Sequence, residues 1–238
     1  LEQKNDYDFF LRRQELIRQG YKNLFFNPST GLYVDGIGTQ HSSLHTNMFA
    51  LAFGLVSDAD KDRVLSFIRS RGMACSVYGA QFLLDAVYAV NDSAYGKLLL
   101  TKTDKRSWYN MIRVGSTITM EAWDNEFKSN LDWNHAWGAA PANIIARKLM
   151  GIEPLEPGFR KIGIKPQPAD LEYARIKHPS IRGDIYVAFE NKYPHKFRLN
   201  ISIPGNTSAK VYLPKLSNKN RTYQNGVEIK GALVGNFI

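Results

Sequence analysis

Four tryptophans and several polar residues share one short window of the sequence. The tryptophans are Trp108, Trp123, Trp133 and Trp137. The polar residues of the same window are Glu121, Asp124, Asp132 and His135. Sugar rings stack their C–H faces on aromatic side chains, and their hydroxyls bond to carboxylate and imidazole groups, so this mixture is typical of a sugar site. Glycosidic cleavage also needs two carboxyl groups, one that donates a proton and one that activates water or attacks the sugar.

Glu121 is the strongest candidate for the group that activates water. Gly115 and the Ser and Thr residues that follow it oppose a helix, so this stretch is predicted to be a loop or a short extended segment. The neighbours of Glu121 are Met120, Ala122 and Trp123. An apolar setting raises the pKa of a carboxyl group, which suits a general base, and we expect such a raised pKa for Glu121.

The other residues of this window have simpler interpretations as well. Tryptophan is usually well buried, so the indoles are also compatible with the core of a large helical domain. Asp124 is expected to orient a loop or to bind a sugar hydroxyl. Asp132 or Asn134 could cap a helix that runs from Asn134 to Met150, and His135 would then lie in its first turn as a structural hydrogen-bonding group or as a substrate ligand.

Residues 1–151 are predicted to be helical. Apolar residues recur about every 3.6 positions after Asp6, a possible N-cap, and four further cap candidates precede apolar segments. Those candidates are Ser43, Asp58, Asp92 and Asp104. The loops between the segments are short, so neighbouring helices should run antiparallel, as the stacked hairpins of an α/α toroid do.

Residues 152–238 are predicted to be β-structure. Prolines discourage helices there, and short alternating runs occupy 185–189, 197–203 and 209–213. The Asn225-Gly226 pair is a strong signal for a β-hairpin. The sequence therefore predicts an α plus β protein of two domains, a partial α/α toroid in 1–151 followed by an antiparallel β-sandwich in 152–238.

Composition argues against several other classes of protein. The net charge is +9, and residues 151–238 carry 14 Lys and Arg against 7 Asp and Glu, but the basic residues are spread singly, so we expect no nucleic-acid binding. No apolar run reaches the ~18 residues of a membrane-spanning helix. His41 and His45 have a spacing that metal ligands use, but no third ligand follows suitably, and we predict no metal and no cofactor. Cys75 is interpreted as buried core, and the sequence leaves secreted, periplasmic and cytoplasmic locations open.

Three segments carry a resemblance to a known family. Residues 115–123 and 132–141 together resemble the C-terminal half of the catalytic domain of bacterial α-L-rhamnosidases, glycoside hydrolase family 78. Residues 151–159 resemble that family's exit from its (α/α)6 barrel into a C-terminal β-sandwich. The resemblance covers nearly the whole chain. It implies an inverting hydrolase that removes terminal α-L-rhamnose from rhamnose-containing glycans or glycosides.

The resemblance also implies roles for individual residues. Glu121 matches the family's general base, and His135 matches the histidine near the rhamnose hydroxyls. Trp123 matches an aromatic residue beside the base and is expected to contact the substrate. Trp133 and Trp137 are expected to line the pocket. The family's general acid lies on a segment that would precede Leu1, and we therefore expect this chain, which begins without Met, to be part of a longer protein and to be inactive alone.

Other functions remain open at this point. Asp35 is a loop acid that could reach the rim of a cleft, although turn formation explains it equally well. The basic C-terminal sheet could belong to a carbohydrate-binding or scaffold module without catalysis. Helical toroids also carry other glycosidases and polysaccharide lyases, and Tyr109 and Arg113 are available for lyase chemistry.

Overall fold

The computed structural model describes residues 3–216, 221–231 and 237. The chain divides into two compact units, 1–138 and 139–238. The predicted domain boundary at 151/152 stays a prediction. None of the helices in the described part of the chain combines the length and the apolar character that crossing a bilayer requires.

The first unit is mainly helical. Its described helices are α1 (Lys4–Phe25), α2 (Leu44–Ala52), α3 (Lys61–Arg71), α4 (Gly79–Ala89), α5 (Ser93–Leu100) and α6 (Trp108–Arg113). An antiparallel hairpin of β1 (Phe26–Asn27) and β2 (Leu32–Tyr33) connects α1 to α2. Helix α2 packs against α3 and α4, and α4 packs against α5. Their contact surfaces are apolar and fully buried, as at Met48, Leu83 and Val87.

Two of the predicted caps are confirmed. The Ser43 hydroxyl accepts a hydrogen bond from Thr46 N at 3.2 Å at the start of α2. The Asp92 carboxylate accepts one from Tyr95 N at 3.4 Å at the start of α5 and also pairs with Arg69 at 2.6 Å. Each side chain satisfies a backbone N–H group that the first turn of a helix leaves without a partner.

The other three predicted caps are wrong. Asp6 lies inside the first turn of α1. Asp58 belongs to a turn before α3 and pairs with Lys61. Helix α6 is capped by Ser107, whose hydroxyl accepts a hydrogen bond from Asn110 N at 3.1 Å, whereas Asp104 pairs with a lysine. Asp58 and Asp104 form ion pairs with lysines instead of capping a helix. Asp6 cannot be a cap because α1 already begins at Lys4.

Helix α1 keeps the predicted periodicity but buries none of its residues. Its large apolar side chains are exposed to solvent. They include Phe9, Phe10, Leu16, Ile17 and Leu24. The apolar pattern therefore predicts the helix correctly, but none of the described residues buries its apolar side chains.

The second unit begins with a short helix, α7 (Ala140–Ile144), which continues as a π-helical turn over Ile145–Leu149. The predicted start of this helix at Asn134 is wrong. Residues Ala136–Gly138 form a separate 3₁₀ turn. Pro141 stands in the first turn of α7, where its missing N–H group costs no hydrogen bond.

Eight described strands follow. They are β3 (Ile152–Pro154), β4 (Lys161–Ile164), β5 (Tyr173–Ser180), β6 (Gly183–Lys192), β7 (Lys196–Ser202), β8 (Ser208–Val211), β9 (Thr222–Gln224) and β10 (Val227–Ile229). One sheet has the order β3-β4-β8 and another has the order β5-β6-β7. All pairs are antiparallel except β4 with β8. Side chains of both sheets, such as Ile162 and Val187, share one buried apolar cluster, so the sheets face each other as a sandwich.

The β9–β10 hairpin forms where the sequence predicts it. Asn225 and Gly226 both have positive φ angles, 51° and 84°, and Gln224 pairs with Val227 across them. A two-residue turn with two positive φ angles matches the right-handed twist of the flanking strands, and Asn and Gly adopt it at least cost.

Gly151 is a position where the second unit tolerates no side chain. Its φ is +77°, and a Cβ atom there would lie 2.1 Å from the carbonyl carbon of Lys165. We expect Gly151→Ala to lower the free energy of unfolding by about 3 kcal/mol, because backbone strain and backbone overlap add. Gly205→Ala is the matched control, since a Cβ there meets nothing within 4 Å. Urea unfolding of both variants tests this, and equal stability of the two would contradict it.

Candidate active site

Two loop segments of the first unit are bonded side by side and bring the predicted residues together. His135 N donates to Thr119 O at 2.8 Å, and the Thr119 hydroxyl donates to His135 O at 2.9 Å. Glu121 N donates to Asp132 O at 2.9 Å. Gly138 lets the segments approach, because a Cβ there would lie 2.7 Å from the Thr119 side chain. This pairing also explains why no helix begins at Asn134, since the backbone groups are already bonded across the two segments.

The Glu121 carboxylate has two fixed partners. One oxygen accepts from the Lys128 ammonium, and the other accepts from Asp132 N at 3.0 Å. The Glu121 side chain keeps 12% of its surface exposed. Each carboxylate oxygen has a further lone pair, so the two bonds leave capacity for a water molecule.

The pKa of Glu121 is lower than its ordinary value, and the predicted rise is wrong. The hydrogen bond from Lys128 is the main cause, followed by the bond from Asp132 N, and His135 acts in the same direction. Sequence neighbours misled the prediction because Met120 and Trp123 are buried, whereas the carboxylate lies among polar groups. Glu121 is therefore held as an anion, the form in which a carboxylate accepts a proton.

Trp137 and His135 form a stacked pair beside Glu121. Their ring centroids are 4.0 Å apart with an interplanar angle of 21°. The indole N–H of Trp137 donates to the backbone carbonyl oxygen of Glu121 at 3.0 Å, which fixes the ring next to the backbone of Glu121. Trp137 remains 40% exposed, so part of its ring is open to a ligand. Trp133 lies in the same segment and is 44% exposed.

Tyr78 is a candidate that sequence reasoning missed. It is 51% exposed, and its ring centroid is 5.4 Å from that of Trp137. Tyr78 stands just before α4, far from the tryptophan-rich window in the chain. No local spacing signals this contact, because only the fold brings the two rings together.

Trp123 and Trp108 belong to the core of the first unit. Their rings meet edge to face at a centroid distance of 5.0 Å. Trp123 is 2% exposed, and its N–H donates to Cys75 O at 2.8 Å. Almost none of the Trp123 ring is open to a ligand, and its contact with a substrate stays a prediction. Burial also raises the pKa of the Cys75 thiol to about 12, as expected of an unreactive core cysteine.

Asp124 orients its loop. One carboxylate oxygen accepts from the Asn110 amide at 2.9 Å, and the other accepts from Glu126 N at 3.3 Å. These bonds hold the pKa of Asp124 below its ordinary value. Of the two roles predicted from the sequence, the geometry favours loop orientation, and a contact with a sugar hydroxyl stays a prediction.

Asp35 has a structural place at the start of α2. Its carboxylate accepts from Ser43 N at 2.9 Å and lies 2.5 Å from His41 Nδ1. Burial raises its pKa, but bonds from Thr46, Ser43 and His41 outweigh this and lower it. His41 is thus engaged by a carboxylate rather than joined to His45. Within the described ranges, no three His, Cys, Asp or Glu residues are grouped so that they could hold a metal ion.

Comparison with known proteins gives matches along most of the chain. Residues 1–149 match the family model described as the bacterial alpha-L-rhamnosidase 6 hairpin glycosidase domain. Residues 151–228 match the bacterial alpha-L-rhamnosidase C-terminal domain. The chain belongs to the bacterial α-L-rhamnosidase family. The family predicted from the sequence motifs is therefore confirmed.

Relatives and solved structures agree with this family. An α-L-rhamnosidase of Formosa agariphila is 26% identical over a 234-position match that covers 90% of this chain and 24% of that protein. The structure of the Dictyoglumus thermophilum α-L-rhamnosidase superposes with a TM-score of 0.81 at 20% identity, over 96% of this chain and 26% of that one. The Streptomyces avermitilis enzyme, solved with L-rhamnose, gives 0.75 at 22% identity, over 97% and 22% of the two chains.

These comparisons confirm the predicted fold class, a helical domain followed by a β-rich domain. They also show that this chain spans about a quarter of the length of the rhamnosidases that it matches. About three quarters of each of these relatives therefore has no counterpart among these 238 residues.

Lys128 provides a test of the site's electrostatics. We expect Lys128→Met to raise the pKa of Glu121 towards its ordinary value, because the variant loses both the strongest hydrogen bond and the positive charge. The measurement is a pH titration of the Glu121 carboxyl carbon by ¹³C NMR in the 238-residue chain.

Lys105→Met is the matched control, since Lys105 pairs with Glu126 and is more than half exposed. The Lys105→Met variant should leave the pKa of Glu121 unchanged. A Glu121 pKa that does not move in Lys128→Met would contradict the ion pair.

Proposed function

We propose that this chain is part of an enzyme that hydrolyses terminal α-L-rhamnosides with inversion and that Glu121 is its general base. The single observation that supports this most strongly is the position of Glu121. Its anionic carboxylate, whose side chain keeps 12% of its surface exposed, lies beside the exposed Trp137, on which the partly buried His135 stacks. Family membership supports the class of reaction and the sugar that is released.

The proposed chemistry uses the charge of Glu121. A carboxylate with a lowered pKa is ionised at neutral pH and can accept a proton from a water molecule as that water attacks the anomeric carbon. The hydrogen bond from the backbone N–H of Asp132 fixes the orientation of the carboxylate, in addition to the bond from Lys128. Since the ionised form is the active one, the acid limb of the pH–rate profile should lie below the ordinary pKa of glutamate.

The aromatic groups are proposed to hold the sugar. A deoxysugar has an apolar face of C–H and methyl groups that stacks well on an indole, and Trp137 exposes such a ring next to Glu121. His135 is proposed to bond to the sugar hydroxyls, and Trp133 to line the pocket. Tyr78 adds a second exposed ring beside Trp137.

An inverting mechanism needs a second carboxyl group about 6.5–9.5 Å from the first, so that a water molecule fits between them. Asp124 lies near Glu121 in sequence, but both of its oxygens are engaged by the protein. We propose that the general acid comes from a part of the enzyme outside this chain. The short span of the chain along its relatives leaves ample length for that part.

Glu121→Gln in the complete enzyme tests the assignment. We expect kcat on an aryl α-L-rhamnoside to fall by about 10²–10⁴-fold with little change in KM, because the amide keeps the shape but cannot accept the proton. Glu126→Gln, which changes an exposed glutamate of the same loop, is the matched control and should stay near the parent rate.

The stereochemistry of the parent reaction is read by ¹H NMR in the same assay. Inversion requires that the first rhamnose released be the β anomer. A Glu121→Gln enzyme within twofold of the parent would refute the base, and α-rhamnose as the first product would refute inversion.

A further inference from the structure

A groove in the second unit is lined by residues that have no role in the candidate site. It has a volume of about 720 Å³ and runs between strand β7 and the β9–β10 hairpin. Apolar side chains such as Phe197 and Leu199 form part of its lining. Lys196, Arg198 and Arg221 line it as well, and none of its described lining residues is acidic.

The lysines at the end of strands β6 and β7 face each other. Lys192 and Lys196 are directly opposite in the strand register, and both are exposed. Like charges in opposite positions destabilise a sheet. Within the described ranges, neither lysine forms an ion pair with an acidic side chain. Lys196 is the one of the two that lines the groove, and an anion bound beside it would relieve the repulsion.

The two arginines of the groove are only loosely held by the protein. Arg198 reaches Glu190 at 3.4 Å, and Arg221 reaches Glu228 at 3.9 Å, with all four side chains about half exposed or more. Exposed pairs of this length contribute little and can exchange partners. An arginine fork has the planar geometry that binds a carboxylate or sulfate through two hydrogen bonds.

An exposed aromatic ring completes the groove. Tyr223 is 55% exposed and lies in β9, two positions from Arg221. Asn200 and Asn225 add amide groups that can bond to hydroxyls. The groove thus combines an aromatic ring, amides, the lysine Lys196 and two weakly paired arginines. This combination is complementary to a chain of acidic sugars, which offers C–H faces, hydroxyls and regularly spaced negative charges.

We propose that this groove binds an acidic polysaccharide and thereby holds the protein on an anionic glycan. The proposal goes beyond the rhamnosidase site and does not depend on it, since none of the groove residues belongs to the first unit.

The test uses the full 238-residue chain in affinity electrophoresis and calorimetry. The probes are polygalacturonate, the same polymer with its carboxyl groups methyl-esterified, dextran sulfate and a single-stranded DNA oligonucleotide. We expect retention by polygalacturonate that weakens with salt, and little retention by the esterified polymer. Dextran sulfate distinguishes sulfate from carboxylate as the preferred anion, and binding to either one supports the proposal.

Variants locate the binding. We expect Lys196→Ala/Arg221→Ala to weaken binding at least about tenfold, and Tyr223→Ala about fivefold, because they remove two charges and the stacking surface. The matched controls are Lys177→Ala and Tyr173→Ala, which change an equally exposed lysine and tyrosine of strand β5 outside the groove. All five positions are on the surface, so circular dichroism should show unchanged folding.

Four results would overturn the proposal. They are no retention by either anionic polymer, equal retention by the esterified polymer, DNA binding as tight as polysaccharide binding, and groove variants that behave like their controls. Glu121→Gln should bind the polymers normally, so failure of the groove and failure of the proposed catalytic site are distinguished.

Discussion

The backbone pairing between residues 119–121 and 132–135 is the constraint on which the candidate site depends. These bonds fix Glu121 and His135 on adjacent segments and leave the N–H group of Asp132 pointing at the carboxylate. They also prevent α7 from starting at Asn134, so residues Ala136–Gly138 form a separate turn that carries Trp137. A loop built this way is rigid without being part of a helix or sheet, as a positioned catalytic group requires.

The four tryptophans in this part of the chain form two pairs, one buried and one exposed. Trp108 and Trp123 are buried, and their N–H groups donate to backbone carbonyls, so they stabilise the core of the first unit. Trp133 and Trp137 are exposed at its surface. The core interpretation of this window therefore holds for Trp108 and Trp123, whereas Trp133 and Trp137 are exposed and their contact with a sugar stays a prediction.

The sequence predicted what local chemistry determines. The turn at Asn225-Gly226 and the cap at Asp92 followed from side-chain properties alone, and the family motifs identified the fold class. It failed where a contact that the sequence pattern does not reveal decided the outcome. The Lys128 partner reversed the expected pKa shift of Glu121, Ser107 replaced Asp104 as a cap, and Tyr78 reaches Trp137 only through the fold.

The account depends on Glu121 activating water, and chemical rescue tests this most directly. In Glu121→Ala of the complete enzyme, azide fits the space of the carboxylate and its water and attacks without needing a base. We predict that azide restores turnover of an activated aryl rhamnoside and that the product is the β-rhamnosyl azide. Full activity of Glu121→Ala without azide, or rescue that gives the α-azide, would contradict the account.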